Sequence, residues 1–276
     1  MTIDELHGRR YAPLQALVLS LFSPAVYRDV ALNWRGIGLG YLFLLLALTW
    51  VPSMGMLQAE IDEFATDVAP TLLAQLPTIT IKDGEASIDA TEPVVMRDPR
   101  NGAVLAVLDT SDETPPGTEN AYVALTRTAL VVRRPDQRDT RVVRLADSPF
   151  ANATIDRGRA EAALATVQRW FVLSVAYPVC LLGSWLYRTA EALMYGAVAF
   201  RIAGWLRRAL GWRACLRVAA VALTPVIVLD TVIGIMGTPP PLWPLSYFLL
   251  TVGYVYLGVT AVPPVPGAAE AHESVG

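Results

Sequence analysis

The chain has 276 residues, 54% of them hydrophobic, with 22 Lys and Arg against 25 Asp and Glu for a net charge of −3. No basic patch alternates with aromatic residues, which excludes a nucleic-acid-binding protein. The apolar residues are clustered rather than spread, and that clustering selects a membrane bundle over one or two soluble domains.

Residues 1–35 read as a cytoplasmic amphipathic entry segment. Within Tyr11–Trp34, Leu14, Leu17, Val18 and Phe22 form an apolar side suited to the membrane surface, and Ser23-Pro24 starts a second short helix. Ala16–Phe22 is too short to span, and Pro24 interrupts it before any small-residue cleavage site, so no signal peptide is expected. Gly36–Met56 is the first apolar run, flanked by interfacial Trp34 and Tyr41. Gly36-x-Gly-x-Gly40 follows no strand, which argues against a dinucleotide loop and for close helix approach.

Residues 57–169 are soluble in character, holding 18 Asp and Glu against 12 Lys and Arg. Leu57, Ile61, Phe64 and Val68 recur at helical spacing and predict a stalk that Pro70 ends. The periodicity then changes to two. Thr78–Asp89 predicts a hairpin about Asp83-Gly84. Pro93–Met96 and Ala103–Leu108 flank a turn at residues 98–102, and Ala121–Val132 and Thr140–Leu145 flank another at 134–138. The expectation is a small antiparallel sheet with a long loop at Thr114–Asn120, closed by a returning stalk at Arg159–Gln168 that pairs with the first.

Trp170–Tyr187, Ala219–Gly237 and Leu242–Val262 are the remaining apolar runs, each close to the ~20 residues that cross ~30 Å of hydrocarbon. Ala190–Leu206 is ambiguous, because it is apolar but contains Glu191 and Arg201 and follows Arg188. Arg9, Arg10, Arg28 and Arg35 precede the first run, and Arg207, Arg208, Arg213 and Arg217 precede Ala219. Both groups belong in the cytoplasm by the positive-inside rule, which places 57–169 outside a bacterial plasma (inner) membrane. Four spans follow if Ala190–Leu206 stays at the cytoplasmic interface, and five if it crosses. Residues 170–262 are thus the main bundle with its basic loop, and 263–276 a disordered Pro/Ala/Glu-rich tail.

Four stretches stand out together: Phe22-Ser-Pro-Ala-Val-Tyr-Arg-Asp29, Ile79-Thr-Ile-Lys-Asp-Gly84, Ala103–Thr110 and Ala220-Val-Ala-Leu-Thr-Pro225. They resemble a bacterial membrane family catalogued as domain of unknown function 1189, across about residues 20–262. The helical part is distantly similar to the Yip family of multi-span membrane proteins. Some members of the first family are labelled maltodextrin-utilisation proteins. The resemblance implies an architecture and carries over no catalytic residue.

Chemistry is sparse. The only histidines, His7 and His272, lie in the tails, so the folded part offers no histidine base or metal ligand. No cofactor is expected and no enzyme. Cys180 and Cys215 read as small apolar packers, and the outer domain has no cysteine to form a disulfide. Asp109, Asp112, Glu113, Glu119 and Asn120 bunch around a Pro-Gly loop without calcium-loop spacing, and read as a solvated acidic loop. With only Phe64, Tyr122 and Phe150 as aromatics, the outer domain offers no sugar platform.

Asp230 is the one carboxylate inside the runs Val226–Gly237 and its neighbours. It reads either as a proton- or substrate-handling site, paired with Arg201 if that segment enters the membrane, or as a helix–helix bond to Tyr247, Tyr254 or Tyr256. Thr224-Pro225 is a candidate hinge or simply bundle geometry. Arg133, Arg134, Arg138, Arg141 and Arg144 form either a solvated strand edge or a docking face for an acidic partner, lipid headgroup or wall polymer. The expected function is a non-enzymatic membrane protein whose outer domain binds a partner protein or envelope component. The alternative is a small transporter or transporter accessory subunit that uses Asp230, and the maltodextrin label of the resembled family fits that role.

Overall fold

A computed structural model describes residues 10–91, 93–111, 121–133 and 140–264. The chain divides into two compact units, Leu57–Val172 and the helical remainder, Met1–Met56 with Leu173–Gly276. Among the described residues, three helices are long and apolar enough to cross a membrane: Leu39–Gln75, Arg157–Trp205 and Trp212–Met236.

In the helical unit, α1 (Pro13–Leu19) and α2 (Pro24–Asn33) meet at the Ser23-Pro24 break that the sequence predicts. Leu14, Val18 and Phe22 stay exposed while Ala16 and Ser20 are buried, so α1 is amphipathic. Asp29 is buried and fastens the chain on either side of it. It accepts hydrogen bonds from the Arg10 and Tyr11 amides, Asn33 Nδ2 and Trp34 Nε1, at 3.0, 3.2, 2.7 and 3.2 Å. Tyr27 donates to the Ser20 carbonyl at 2.9 Å, and burial holds its phenol well above the usual pKa, so it stays a donor.

Positive φ angles at Gly36 and Gly38 turn the chain into α3 (Leu39–Glu63), three residues later than the apolar run begins. Gly38 also lies against the central helix, where a Cβ would sit 3.0 Å from that of Ala220. That central helix is α7 (Trp212–Ala222), followed after Leu223 by α8 (Thr224–Met236). Residues Val218 to Ile227 are all buried, and the run of Ala and Val lets neighbours approach closely. Pro225 has no amide hydrogen to continue the ladder, so the helix breaks there. The break is wedged in the core, with Thr224 Oγ1 bonded to the Tyr41 hydroxyl at 2.7 Å.

Against α7 pack α6 (Tyr177–Trp205) and α9 (Trp243–Thr260). Both contacts run over glycine: a Cβ on Gly196 would come within 2.5 Å of Leu216, and one on Gly258 within 2.5 Å of Val218. At the arginine-rich end, Arg217 donates to the carbonyls of Val30, Ala31 and Gly36 at 2.9, 2.7 and 3.0 Å. A cation at the end of α2 satisfies its last carbonyls and opposes its dipole. Arg208 binds the Val262 carbonyl in the same manner, just past α9.

The treatment of Trp170–Tyr187 and Ala190–Leu206 as separate segments is corrected. One continuous helix from Arg157 to Trp205 runs through both, π-wound over Val167–Ala176 and α-helical as α6 beyond it. The later part carries its buried side, Ala192, Tyr195, Gly196, Ala199 and Ala203. Apolar burial along one face outweighs the interruption by Arg188, Glu191 and Arg201.

In the unit Leu57–Val172, the stalk does not stop at Pro70. A π turn at Phe64–Val68 bonds the Ala69 amide to the Phe64 carbonyl, and α4 (Ala69–Gln75) continues with Pro70 in its first turn. There its missing N–H costs little. The returning helix α5 (Arg157–Thr166) is N-capped by Asp156, which accepts from the Arg159 amide at 2.8 Å. The expected pairing of stalks is present: Gln58 donates to the Gln168 carbonyl, and both amide side chains bond Asp62.

Two sheets replace the single antiparallel one expected. Strands β1 (Ile79–Lys82), β2 (Glu85–Ile88) and β8 (Ala153–Ile155) form the order β2-β1-β8. Strands β3 (Val94–Arg97), β4 (Val104–Leu108), β5 (Val123–Leu125), β6 (Ala129–Arg133) and β7 (Thr140–Arg144) form the order β3-β4-β5-β6-β7, with β4 and β5 parallel. The Asp83-Gly84 hairpin forms as predicted, both residues having positive φ, as a two-residue primed turn requires. Ala121–Val132 is not one strand. Thr126 exchanges hydrogen bonds with Ala129 at 2.9 to 3.2 Å and folds the segment into the β5–β6 turn. Ile79, Ile81, Ala86, Leu108, Leu125 and Leu145 close the core.

Candidate functional site

The helical unit contains a polar cluster made by three helices. Helix α6 supplies Arg188 and Glu191, three residues apart and therefore on one side of the helix. Helix α8 supplies Asp230, and α9 supplies Trp243 and Tyr247, one turn apart at its start. Arg188 Nη2 bonds Asp230 Oδ2 at 2.9 Å, and Arg188 Nη1 bonds Glu191 Oε2 at 2.7 Å and also the Tyr247 hydroxyl. Tyr247 in turn donates to Glu191 Oε2 at 3.0 Å, and Trp243 Nε1 donates to Asp230 Oδ1 at 3.1 Å. The Arg188 guanidinium lies 5.3 Å from the ring centres of both Tyr187 and Tyr247, within cation–π range. The side chains of Arg188 and Glu191 are each only 12% exposed, whereas that of Asp230 is 41% exposed.

Two clefts meet at this cluster. One, of about 210 Å³, lies among α3, α6 and α8 and brings Thr49, Trp50, Ser53, Ser184 and Thr231 to the Arg188–Asp230 pair. The other, of about 410 Å³, lies among α6, α8 and α9 and is lined by Glu191, Tyr195, Trp243, Tyr247 and Phe248 beside the same pair. Arg188 and Asp230 therefore line both a hydroxyl-lined cleft and an aromatic one. The first cleft is held open by side-chain bonds between α3 and α6: Trp50 Nε1 to Ser184 Oγ at 2.9 Å, and Tyr177 to the Ala47 carbonyl at 3.0 Å.

The family model described as "Protein of unknown function (DUF1189)" matches residues 14–259. The chain belongs to that family. No curated protein and no solved structure matches it. The match shows no similarity to the Yip family.

The four stretches by which the chain resembles the DUF1189 family have structural roles. The first holds the Tyr27 and Asp29 anchors, the second is the β1–β2 hairpin, the third contains β4, and the fourth is the α7–α8 break. None of the four contributes to the polar cluster, which is made by residues the motifs do not include.

Of the residues singled out by sequence, Asp230 is in the cluster, but its partner is Arg188 and not Arg201. Arg201 lies farther along α6 and is exposed. Of the three tyrosines, Tyr247 joins through Arg188, whereas Tyr254 donates to the Leu21 carbonyl and Tyr256 is exposed. Thr224 and Pro225 are buried at the break. The described arginines of β6 and β7 do not share one face. In the β6–β7 register Arg133 opposes Thr140, Arg141 opposes Val132 and Arg144 opposes Ala129. Alternation therefore puts Arg141 on the sheet face opposite to Arg133 and Arg144. Arg134 and Arg138 lie outside the described residues, as do His7, His272, Asp112, Glu113, Glu119 and Asn120. Asp109 is buried and accepts from the Ser111 amide at 2.9 Å. Among the described residues no three His, Cys, Asp or Glu side chains gather in a metal-binding arrangement.

Arg188, Glu191 and Trp243 were not named as site residues from sequence, and Tyr247 only as a helix–helix partner for Asp230. Their signal was present in the Arg188-x-x-Glu191 spacing inside an apolar helix, where two charges must share a face and find a third.

Proposed function

We propose that the chain crosses the plasma (inner) membrane of a bacterium four times, through α3, the helix ending at Trp205, α7–α8 and α9. Residues 57–169 would then be extracytoplasmic and both termini cytoplasmic. Helix α9 has 18 residues, enough for about 27 Å at 1.5 Å per residue. Arg207, Arg208, Arg213 and Arg217 cluster at the α6–α7 turn, which supports a cytoplasmic position for that end. Residues 190–206 continue the second crossing without a break, which favours four crossings over five. Exposed Leu14, Val18 and Phe22 suit α1 to lipid at the inner surface. Single cysteines at Ser87 and Ala209, in a chain lacking Cys180 and Cys215, test the arrangement. Impermeant maleimide added outside should label the first only, and outside labelling at 209 would refute it.

The function best supported is non-enzymatic handling of a small polar solute, as a transporter or a transporter accessory subunit. One observation carries this reading: two clefts open on the same Arg188–Asp230 ion pair. Ionisable groups inside a helix bundle are expensive and tend to mark solute pathways. A second reading keeps the extracytoplasmic unit as a binding module for a partner protein or envelope component. It is favoured by β7, the outermost strand of its sheet, whose five residues are all exposed, Val142 by 60%. Such an edge accepts an added strand.

Osmotic swelling of proteoliposomes in isotonic glycerol, 4-aminobutyrate or choline chloride separates the two. The first reading expects faster swelling than in protein-free vesicles for at least one solute. Asp230→Asn should reduce that excess at least about tenfold, as for loss of an interaction worth ~1.4 kcal/mol or more, and Val142→Lys should leave it intact. A wild-type rate equal to that of empty vesicles ends the transport reading.

A further inference from the structure

We propose that the Arg188–Asp230 site takes a small zwitterion, and this rests on the reading that the helical unit handles a polar solute. The zwitterion's anionic end would bond the Arg188 guanidinium, and its cationic end the carboxylates of Asp230 and Glu191. In the structure these groups satisfy one another: Arg188 spans Glu191 and Asp230, while Tyr247 and Trp243 fix one oxygen of each carboxylate. Hydrogen bonds from α9 thus hold the carboxylates in place independently of Arg188. A guanidinium that moves off Asp230 leaves a positive and a negative group facing each other where the two clefts meet.

The chemistry of the vacated positions selects the ligand. A neutral solute compensates neither charge. An anion pairs with Arg188 and abandons Asp230, whereas a cation pairs with Asp230 and leaves Arg188 Nη2 without an acceptor, with Glu191 as the one remaining carboxylate on the guanidinium. A molecule with both charges replaces both halves of the bond, so the exchange needs no unpaired intermediate ion. The second carboxylate, Glu191, gives the cationic end two acidic oxygens to choose from. Each cleft has room for a molecule of a few heavy atoms, since one water fills about 30 Å³ of liquid against about 210 and 410 Å³ here.

The experiment is thermal unfolding of the full chain in detergent, with glycine and with three isosteric probes at matched concentration: 4-aminobutyrate, butyrate and butylammonium. At least one of the two zwitterions should raise the midpoint by about 3 °C or more, and neither single-charge probe should. Asp230→Asn and Arg188→Gln should remove the shift, and Arg201→Gln, which alters an exposed residue on the same helix, should keep it. If Arg188→Gln does not accumulate, Asp230→Asn alone decides. No shift from either zwitterion overturns the proposal, and the swelling assay then judges the solute reading by itself. A shift from butylammonium or butyrate alone that Asp230→Asn removes also overturns it, while leaving the solute reading standing.

Discussion

Replacing Arg188 with leucine should cost about 3 kcal/mol of stability or more, the largest effect expected of any single substitution in the helical unit. The change leaves Glu191, 12% exposed, and Asp230 without their shared cation, and it removes the donor from which the Tyr247 hydroxyl accepts. Removing one member of a buried ion pair is costlier than never having had the pair, because the surviving charge keeps its desolvation penalty and loses its compensation. The triple variant R188L/E191Q/D230N should therefore regain most of the loss, although it lacks every charge in the cluster. Thermal unfolding in detergent measures both. Equal instability of the single and triple variants would mean that Arg188 matters through its packing and not its charge.

The second large effect is expected at Asp29→Ala, a loss of roughly 2–4 kcal/mol. Four donors converge on that carboxylate, two of them main-chain amides of residues 10 and 11 and one the buried indole of Trp34. Alanine removes the acceptor that those four donors share, whereas Asp29→Asn keeps one carboxamide oxygen and should lose about half as much. Limited proteolysis reads the consequence directly, since cleavage between Arg10 and Pro13 should accelerate in the alanine variant before the rest of the chain unfolds. Unchanged cleavage there would show that the amides of residues 10 and 11 do not depend on Asp29.

How far the fold was legible depended on whether the signal was local. The apolar runs were plain because each comes close to the length that crosses hydrocarbon, and the Asp83-Gly84 hairpin because two positive φ angles must be met by residues that tolerate them. The parallel pairing of β4 with β5 left no trace in either strand, since register across a long connection is chosen by the core that forms around it. Thr126 was overlooked for a different reason. Alternation across Ala121–Val132 continues through the turn, and only the threonine hydroxyl marks the reversal. Pro70 misled because a proline normally stops a helix, yet the π turn before it had already shifted the ladder.

The site divided in the same way. A lone carboxylate in an apolar run is conspicuous, so Asp230 was found. Its partner lies 42 residues away on another helix, and the nearer-seeming choice, Arg201, points elsewhere because α6 runs straight on instead of dividing at Thr189. Only the antiparallel packing of α6 and α7–α8 decides which arginine comes alongside Asp230. The arginines around β6 and β7 show the converse failure: they are close in sequence, but a strand sends neighbours to opposite faces.

The bond from Arg217 to the end of α2 sets an order on biogenesis. Its two ends are separated by 186 residues at Ala31 and 187 at Val30. At a synthesis rate of roughly 5–20 residues per second, the entry helices wait on the order of ten seconds or longer before their anchor leaves the ribosome. Throughout that interval the carbonyls at the end of α2 lack the guanidinium that the finished unit gives them. Helices α1 and α2 are therefore made well before Arg217 and locked only after it.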